Sequence, residues 1–151
     1  MSTPRSAFAL SHRLRVRWAE VDRQGIVFNG HYLTYFDVGI TEYWRAIGFP
    51  YPDALLAAGG DTFAVKASVE YHAPARYDDQ VDVLVRVARI GRSSMQFILE
   101  IHRTEADGSE THLVSGEVIY VYADAETRKP LPVPDFLREA IACFGRVAPS
   151  T

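Results

Sequence analysis

The sequence predicts an α+β domain in which an antiparallel five-stranded sheet wraps around one long central helix. Three observations predict it. Residues 22–47, DRQGIVFNGHYLTYFDVGITEYWRAI, pass from a glycine turn into a stretch with apolar side chains on nearly every face: Tyr32, Leu33, Tyr35, Phe36, Val38, Ile40, Tyr43, Trp44 and Ile47. A helix that is apolar all round is a buried one. Most of the other segments alternate with period two, as half-buried strands do. Short turns join the last four of them, so a meander can supply the wrapping for a helix that precedes it.

In chain order, residues 8–18 form the first strand, with Leu14, Val16 and Trp18 facing one way and Arg13, Arg15 and Arg17 the other. Residues 20–25 are a loop, and Gly25 suits a backbone conformation closed to other residues. Asn29, the only asparagine, stands where the helix begins and is the expected N-cap. Gly48 follows Ile47 as the expected residue past the helix end, and Pro50 prevents continuation. Residues 51–60 read as a short second helix and a Gly-Gly turn. Residues 62–77 read as a strand with Phe63, Val65, Ala67, Val69 and Tyr71 on one face. Strands come next over 80–90, 93–105 and 111–124, with a turn at Gly91 and a hairpin signal at Asp107-Gly108. The last is apolar on both faces over 118–122, which suits a central strand. Residues 135–144 close the chain as a short helix.

At 151 residues the chain is read as one domain, 1–151, with enough length for a real core. A net charge of -3 gives no field that calls for nucleic acid or an anionic membrane surface. Of 16 basic residues only Lys66 and Lys129 are lysines, a bias that suits phosphate contacts and equally reflects a high-GC genome. Cys143 is the single cysteine, so no intrachain disulfide forms, and it reads as a small core residue. Residues 1–13 carry no long apolar segment, so the expected location is cytoplasmic. His12, His72, His102 and His112 fall on strands, without metal-ligand spacing, and read as surface or interface residues.

The segment around the helix carries a recognisable pattern. An Asp stands three residues before a Gly, followed by two aliphatics, an aromatic, and a Tyr that opens the helix: Asp22, Gly25, Ile26, Val27, Phe28 and Tyr32. Asp37, Glu42 and Gly48 continue it along the helix. The chain resembles the hot-dog-fold acyl-CoA thioesterases, in particular the 4-hydroxybenzoyl-CoA thioesterase branch, and the strand order agrees from end to end. The resemblance implies hydrolysis of a small or medium acyl- or aroyl-CoA thioester, no cofactor beyond the coenzyme A carried by the substrate, and an active site at the interface of a dimer or tetramer. Plant-type acyl-carrier-protein thioesterases resemble the same segment and also have Asn at a position like Asn29. The carrier is therefore open between coenzyme A and a carrier protein. A dehydratase acting through His31 and an acid, and a non-catalytic acyl-CoA-binding module, are the other readings.

Hydrolysis of a thioester needs a group that attacks the carbonyl or activates water, and a donor for the oxygen as it gains charge. No Gly-x-Ser-x-Gly elbow is present. Asp22 offers the first function, as nucleophile or general base. The helix start offers the second, through unpaired N–H groups at or next to Asn29. His31 stands in the first turn, placed to orient water, cap the helix or touch substrate. Asp37 lies about two turns along from Asn29 and is the rival acid. Glu42 reads as structural, paired with Arg45 or Arg13. For the nucleotide phosphates, Arg89, Arg92, Ser93 and Ser94 surround the Gly91 turn, and Arg128 follows the last strand.

Overall fold

A computed structural model of the chain describes residues 5–145 and 149–151. Its sheet is built from β1 (Leu10–Arg15), β2 (Gly60–Tyr71), β3 (Gln80–Ile90), β4 (Ser94–Thr104) and β5 (Glu110–Asp124). The spatial order is β1-β3-β4-β5-β2, and every pairing is antiparallel. Helix α1 (His31–Ala46) lies against one face of this sheet, while α2 (Asp53–Ala57) and α3 (Asp135–Phe144) are short. A five-stranded antiparallel sheet around a long helix is thus what the sequence predicted. β5 sits between β4 and β2, as its two apolar faces required.

Two glycines let the helix reach the sheet. A Cβ on Gly39 of α1 would lie 2.6 Å from a Val83 methyl, so the helix backbone crosses β3 where its own side chain is absent. A Cβ on Gly116 of β5 would collide with the edge of the Phe36 ring. Phe36 therefore fills a notch in β5. Around it Tyr35, Ile40, Tyr43 and Trp44 pack on Val83, Val85 and Phe97 in one core.

Four elements depart from their expected form. α1 is not buried all round: Leu33 is 43% exposed and Asp37 and Arg45 are exposed, because the sheet covers only the face carrying Tyr32, Tyr35, Phe36, Gly39, Ile40, Tyr43 and Trp44. The first strand ends at Arg15, and Trp18 sits in a one-turn helix, 75% exposed, edge-on to Tyr77. Periodicity assigned Trp18 to the core because it cannot see where a strand stops. The second strand ends at Tyr71 and carries a bulge between Ala64 and Lys66. The extra residue breaks the alternation of faces, so Val65 is exposed while Thr62 and Ala64 line a cavity beside α1. Cys143 is exposed, not core, because α3 buries Leu137 and Ile141 instead.

The helix termini show one success and one correction. Gly48 adopts φ +93°, the left-handed conformation expected just past a helix end. The N-cap, however, is Gly30, with no side-chain cap, and Asn29 lies one residue outside.

Candidate active site

The loop before α1 is closed by an antiparallel bridge between Val21 and Val27, with the Asp22 N–H donating to the Ile26 carbonyl at 2.8 Å. Gly25 makes the turn at φ +78°, and its N–H donates to the Asp22 carbonyl. A second bridge, Ile26 to Arg76, and a bond from the Val27 N–H to the Ala75 carbonyl tie the loop to the segment after β2. The carboxylate of Asp22 accepts the Gln24 N–H at Oδ1, 2.7 Å, while Oδ2 has no hydrogen-bond partner among the described residues. One oxygen of Asp22 therefore caps the turn, and the other is left over.

Asp22, Gln24, Ile26, Val27, Asn29 and Tyr32 line one cleft of roughly 310 Å³. Its other wall runs from the end of β2 into the next loop, Tyr71 to Pro74. The Tyr71 hydroxyl donates to the Asn29 carbonyl at 2.9 Å, and the Ala75 N–H donates to the Tyr32 hydroxyl at 3.1 Å. The head of α1 is tied to this wall at two points. The N–H groups of Phe28 and His31 are taken by the Glu20 and Phe28 carbonyls, whereas those of Asn29 and Gly30 have no acceptor among the described residues. Asn29 lines the same cleft as the carboxylate, and a free N–H donor at a helix start can stabilise an oxyanion. A smaller cavity, lined by Trp18, Val21, Asp22, Gly25 and Tyr77, lies against the same aspartate.

Glu20 holds the loop. It is buried, accepts the Arg17 N–H at 2.7 Å and the Tyr35 hydroxyl at 2.9 Å, and pairs with the Arg17 guanidinium. Burial pushes its pKa up, but the bonds from the Arg17 backbone, the Tyr35 hydroxyl and the Arg17 side chain outweigh it, and the net shift is downward. Tyr35 is raised in turn, first by burial and then by its bond to Glu20. A carboxylate whose folded pKa is depressed adds stability above its unfolded value of about 4.3, and that stability is lost as pH falls through the folded value. Wild-type thermal midpoints are therefore expected to drop more steeply than those of Glu20→Gln below about pH 4.3, so the gap between the two narrows toward acid. A gap that stays constant down to about pH 3 would remove Glu20 as the anchor.

Of the other predicted site residues, Phe28 is half-exposed and stacks edge-on with His31, which is outside the cleft wall. Asp37 opens onto a different cavity with Trp44, Tyr51 and Tyr120. Glu42 pairs with Arg45, as expected, and Arg13 pairs instead with buried Asp82. Arg89, Arg92, Ser93, Ser94 and Arg128 do not meet Asp22 within one chain. They lie where β3 ends, β4 starts and β5 ends, which antiparallel pairing puts at the sheet end opposite to Tyr71. Arg128 instead lies over the Phe63 ring, 5.1 Å from its centroid. Sequence reasoning missed Gln24, Tyr71, His72, Ala73 and Pro74 in the cleft. The Tyr-His-x-Pro run at a strand end was the available signal. His72, His102 and His112, expected as surface or interface residues, converge from the end of β2, β4 and β5: the rings of His102 and His112 stack at 4.7 Å, and those of His72 and His112 lie 4.6 Å apart.

The class to which this helix-wrapping sheet belongs is shown by its likeness to known proteins. Residues 16–141 match the model of the thioesterase-like superfamily, and the chain belongs to that family. It is an enzyme of the thioester-hydrolase class with the hot-dog fold. Among its relatives is the acyl-CoA thioester hydrolase YbgC of Escherichia coli, 30% identical over 121 residues, 80% of this chain and 87% of the relative. A protein from Pseudomonas aeruginosa has a similar structure, with TM-score 0.80 and 25% identity over 95% of this chain and 96% of that one. A 4-hydroxybenzoyl-CoA thioesterase variant in complex with 4-hydroxybenzoyl-CoA superimposes with TM-score 0.81 at 22% identity, over 87% of this chain and 97% of that one, a likeness of fold. No helix among the described residues is long and apolar enough to cross a membrane.

Proposed function

We propose that this protein hydrolyses small or medium acyl- or aroyl-CoA thioesters, with Asp22 as general base or nucleophile and the Asn29 and Gly30 N–H groups as the oxyanion site. The observation that carries the reading is one cleft lined by both Asp22 and Asn29, at the head of α1. As a base, Asp22 takes a proton from water while the resulting hydroxide attacks the thioester carbon. As a nucleophile, its own oxygen attacks, and water then cleaves the mixed anhydride. Either way the carbonyl oxygen gains charge and turns to the free N–H donors. The tetrahedral intermediate collapses by expelling the coenzyme A thiolate, a good leaving group because a thiol is far more acidic than an alcohol.

The site is proposed to be completed by a second copy of the chain. β2 is an edge strand of 12 residues whose middle, including Val65, is exposed, and long open edges call for a partner. Twofold antiparallel pairing of β2 with its copy sets the start of one β2 beside the end of the other. That places the sheet end bearing Arg92, Ser93 and Arg128 in one copy next to the Asp22 cleft of the other, where cations serve the nucleotide phosphates. The segment after β3 and the cleft, apart in one chain, become neighbours in the pair.

The test is free-thiol release from a panel of acyl- and aroyl-CoA thioesters, with acyl-carrier-protein thioesters alongside, on protein whose mass is measured by light scattering. Turnover of one acyl-CoA class by a dimer or larger assembly supports the reading. Tight binding of acyl-CoA without turnover would replace it with the acyl-CoA-binding module.

A further inference from the structure

We propose that Glu100, His102 and His112 form a binding site for a divalent transition metal ion of the zinc type, on the sheet face turned away from α1. Their ligating atoms lie within 4.8 Å of one another. The strand geometry explains why. Glu100 and His102 are two residues apart on β4, so both point to the same face. A register shift between Ile101 and His102 then sets His102 opposite His112 of β5, and the two imidazoles stack with an interplanar angle of 1°. The spacing is a strand spacing joined by a cross-strand pair, which a search for helical His-x-x-x-His patterns passes over.

Distances favour a single ion. A four-coordinate ion with bonds of about 2.1 Å sets its ligands roughly 3.4 Å apart. Here Glu100 Oε1 lies 2.8 Å from His102 Nε2 and 3.6 Å from His112 Nε2, on either side of that value. The two imidazoles must also rotate out of their parallel stack, since each nitrogen lone pair lies in its own ring plane; with that rotation, shifts on the order of 1 Å complete the arrangement. The donor set, two imidazoles and a carboxylate, suits Zn²⁺, Co²⁺ or Ni²⁺ and not Mg²⁺, which prefers oxygen ligands and keeps its waters.

Two further observations point to a cation. Glu100 is a buried carboxylate, its side chain 5% exposed, and its only ion-pair partners among the described residues are His102 and His112. Among the described residues Glu100 pairs with no lysine or arginine, so only the two imidazoles stand beside its buried carboxylate. His102 Nδ1 is buried with no hydrogen bond and lies 4.0 Å from Glu110 Oε2. With a metal on Nε2, the Nδ1–H faces Glu110, the carboxylate–histidine–metal relation that orients such ligands. His112 Nε2 lies 3.0 Å from both the Val114 carbonyl and Ser115 Oγ. For a metal to bind there, the neutral ring carries its one proton on Nδ1 instead of Nε2, and Nε2 turns from the Val114 carbonyl to the ion.

Chelator-treated full-length protein is titrated with ZnCl₂, CoCl₂ and MgCl₂, with binding followed by calorimetry and the thermal midpoint recorded. One Zn²⁺ or Co²⁺ per chain is expected, with a midpoint rise on the order of 5 °C at saturating Zn²⁺, no rise with Mg²⁺, and visible absorption from four-coordinate Co²⁺. The H102Q/H112Q double variant loses the binding and the Co²⁺ absorption, while His12→Gln, on edge strand β1, keeps both. No saturable Zn²⁺ binding, or binding and Co²⁺ absorption unchanged in H102Q/H112Q, overturns the site. The histidine pair is the better probe than Glu100→Gln, because removing a buried charge alters folding by itself.

Discussion

Asp22→Asn is expected to lower kcat on the best acyl-CoA by about 10²- to 10⁴-fold, the range general acid–base groups supply, with KM changed little. The substitution is conservative in shape. The Asn carbonyl can still accept the Gln24 N–H that Asp22 Oδ1 accepts at 2.7 Å, so the Gly25 turn survives and the thermal midpoint should hold. What disappears is the oxygen without a partner, the one able to take a proton or attack carbon. Uniform loss of binding would raise KM; loss of a group that acts only as the carbonyl reacts lowers kcat. Asp37→Asn is the control. Its carboxylate opens onto the cavity with Trp44, Tyr51 and Tyr120, apart from the Asp22 cleft, and turnover within a few-fold of wild type is expected. Free-thiol release decides the matter. Undiminished turnover in Asp22→Asn sinks the assignment, and collapse in Asp37→Asn instead moves the acid onto α1.

Phe36→Ala is expected to cost about 3–5 kcal/mol, a large loss for a single truncation. The ring is fully buried and sits in the notch that Gly116 leaves in β5. Truncation opens a cavity that the β4–β5 and β2–β5 ladders, both paired through Gly116, resist collapsing. The reverse change, Gly116→Ala, overpacks the same place: its Cβ would collide with the Phe36 ring and meet the Ser68 carbonyl at 2.6 Å, at a cost of about 1–3 kcal/mol. The two changes relieve each other only in part. The alanine methyl gains room when the ring is gone, but the Ser68 backbone cannot retreat without breaking its strand pair. Urea denaturation of the double variant should therefore show a loss smaller than the sum of the singles. Additivity would mean that ring and notch do not form one packed unit.

Much of this was legible in the chain. Alternation and apolar runs over 80–90, 93–105 and 111–124 located three strands that short turns join into a local antiparallel meander. Gly48 marked the end of α1, since only a residue without a Cβ takes φ +93° without strain. The Asp22-to-Tyr32 motif placed an acid and a helix start in one loop, and a loop of that length holds its ends together by its own hydrogen bonds. Such features are within reach of sequence because each depends on neighbours a few residues away.

Other features depend on partners far along the chain. The bulge at Val65 decides which face of β2 meets α1, yet it is a property of the register with β5 and not of β2 alone. Tyr71 to Pro74 close a cleft opened some 40 residues earlier, and Glu20 is an anchor only because Tyr35 and Arg17 fold onto it. The histidines form a cluster because a register shift sets His102 against His112. Local periodicity and turn chemistry were enough to define the elements and the reactive loop. The sharing of a cleft, the open face of α1 and the burial of charges together emerge only in the folded chain, because strand register and close packing join segments that are distant in sequence.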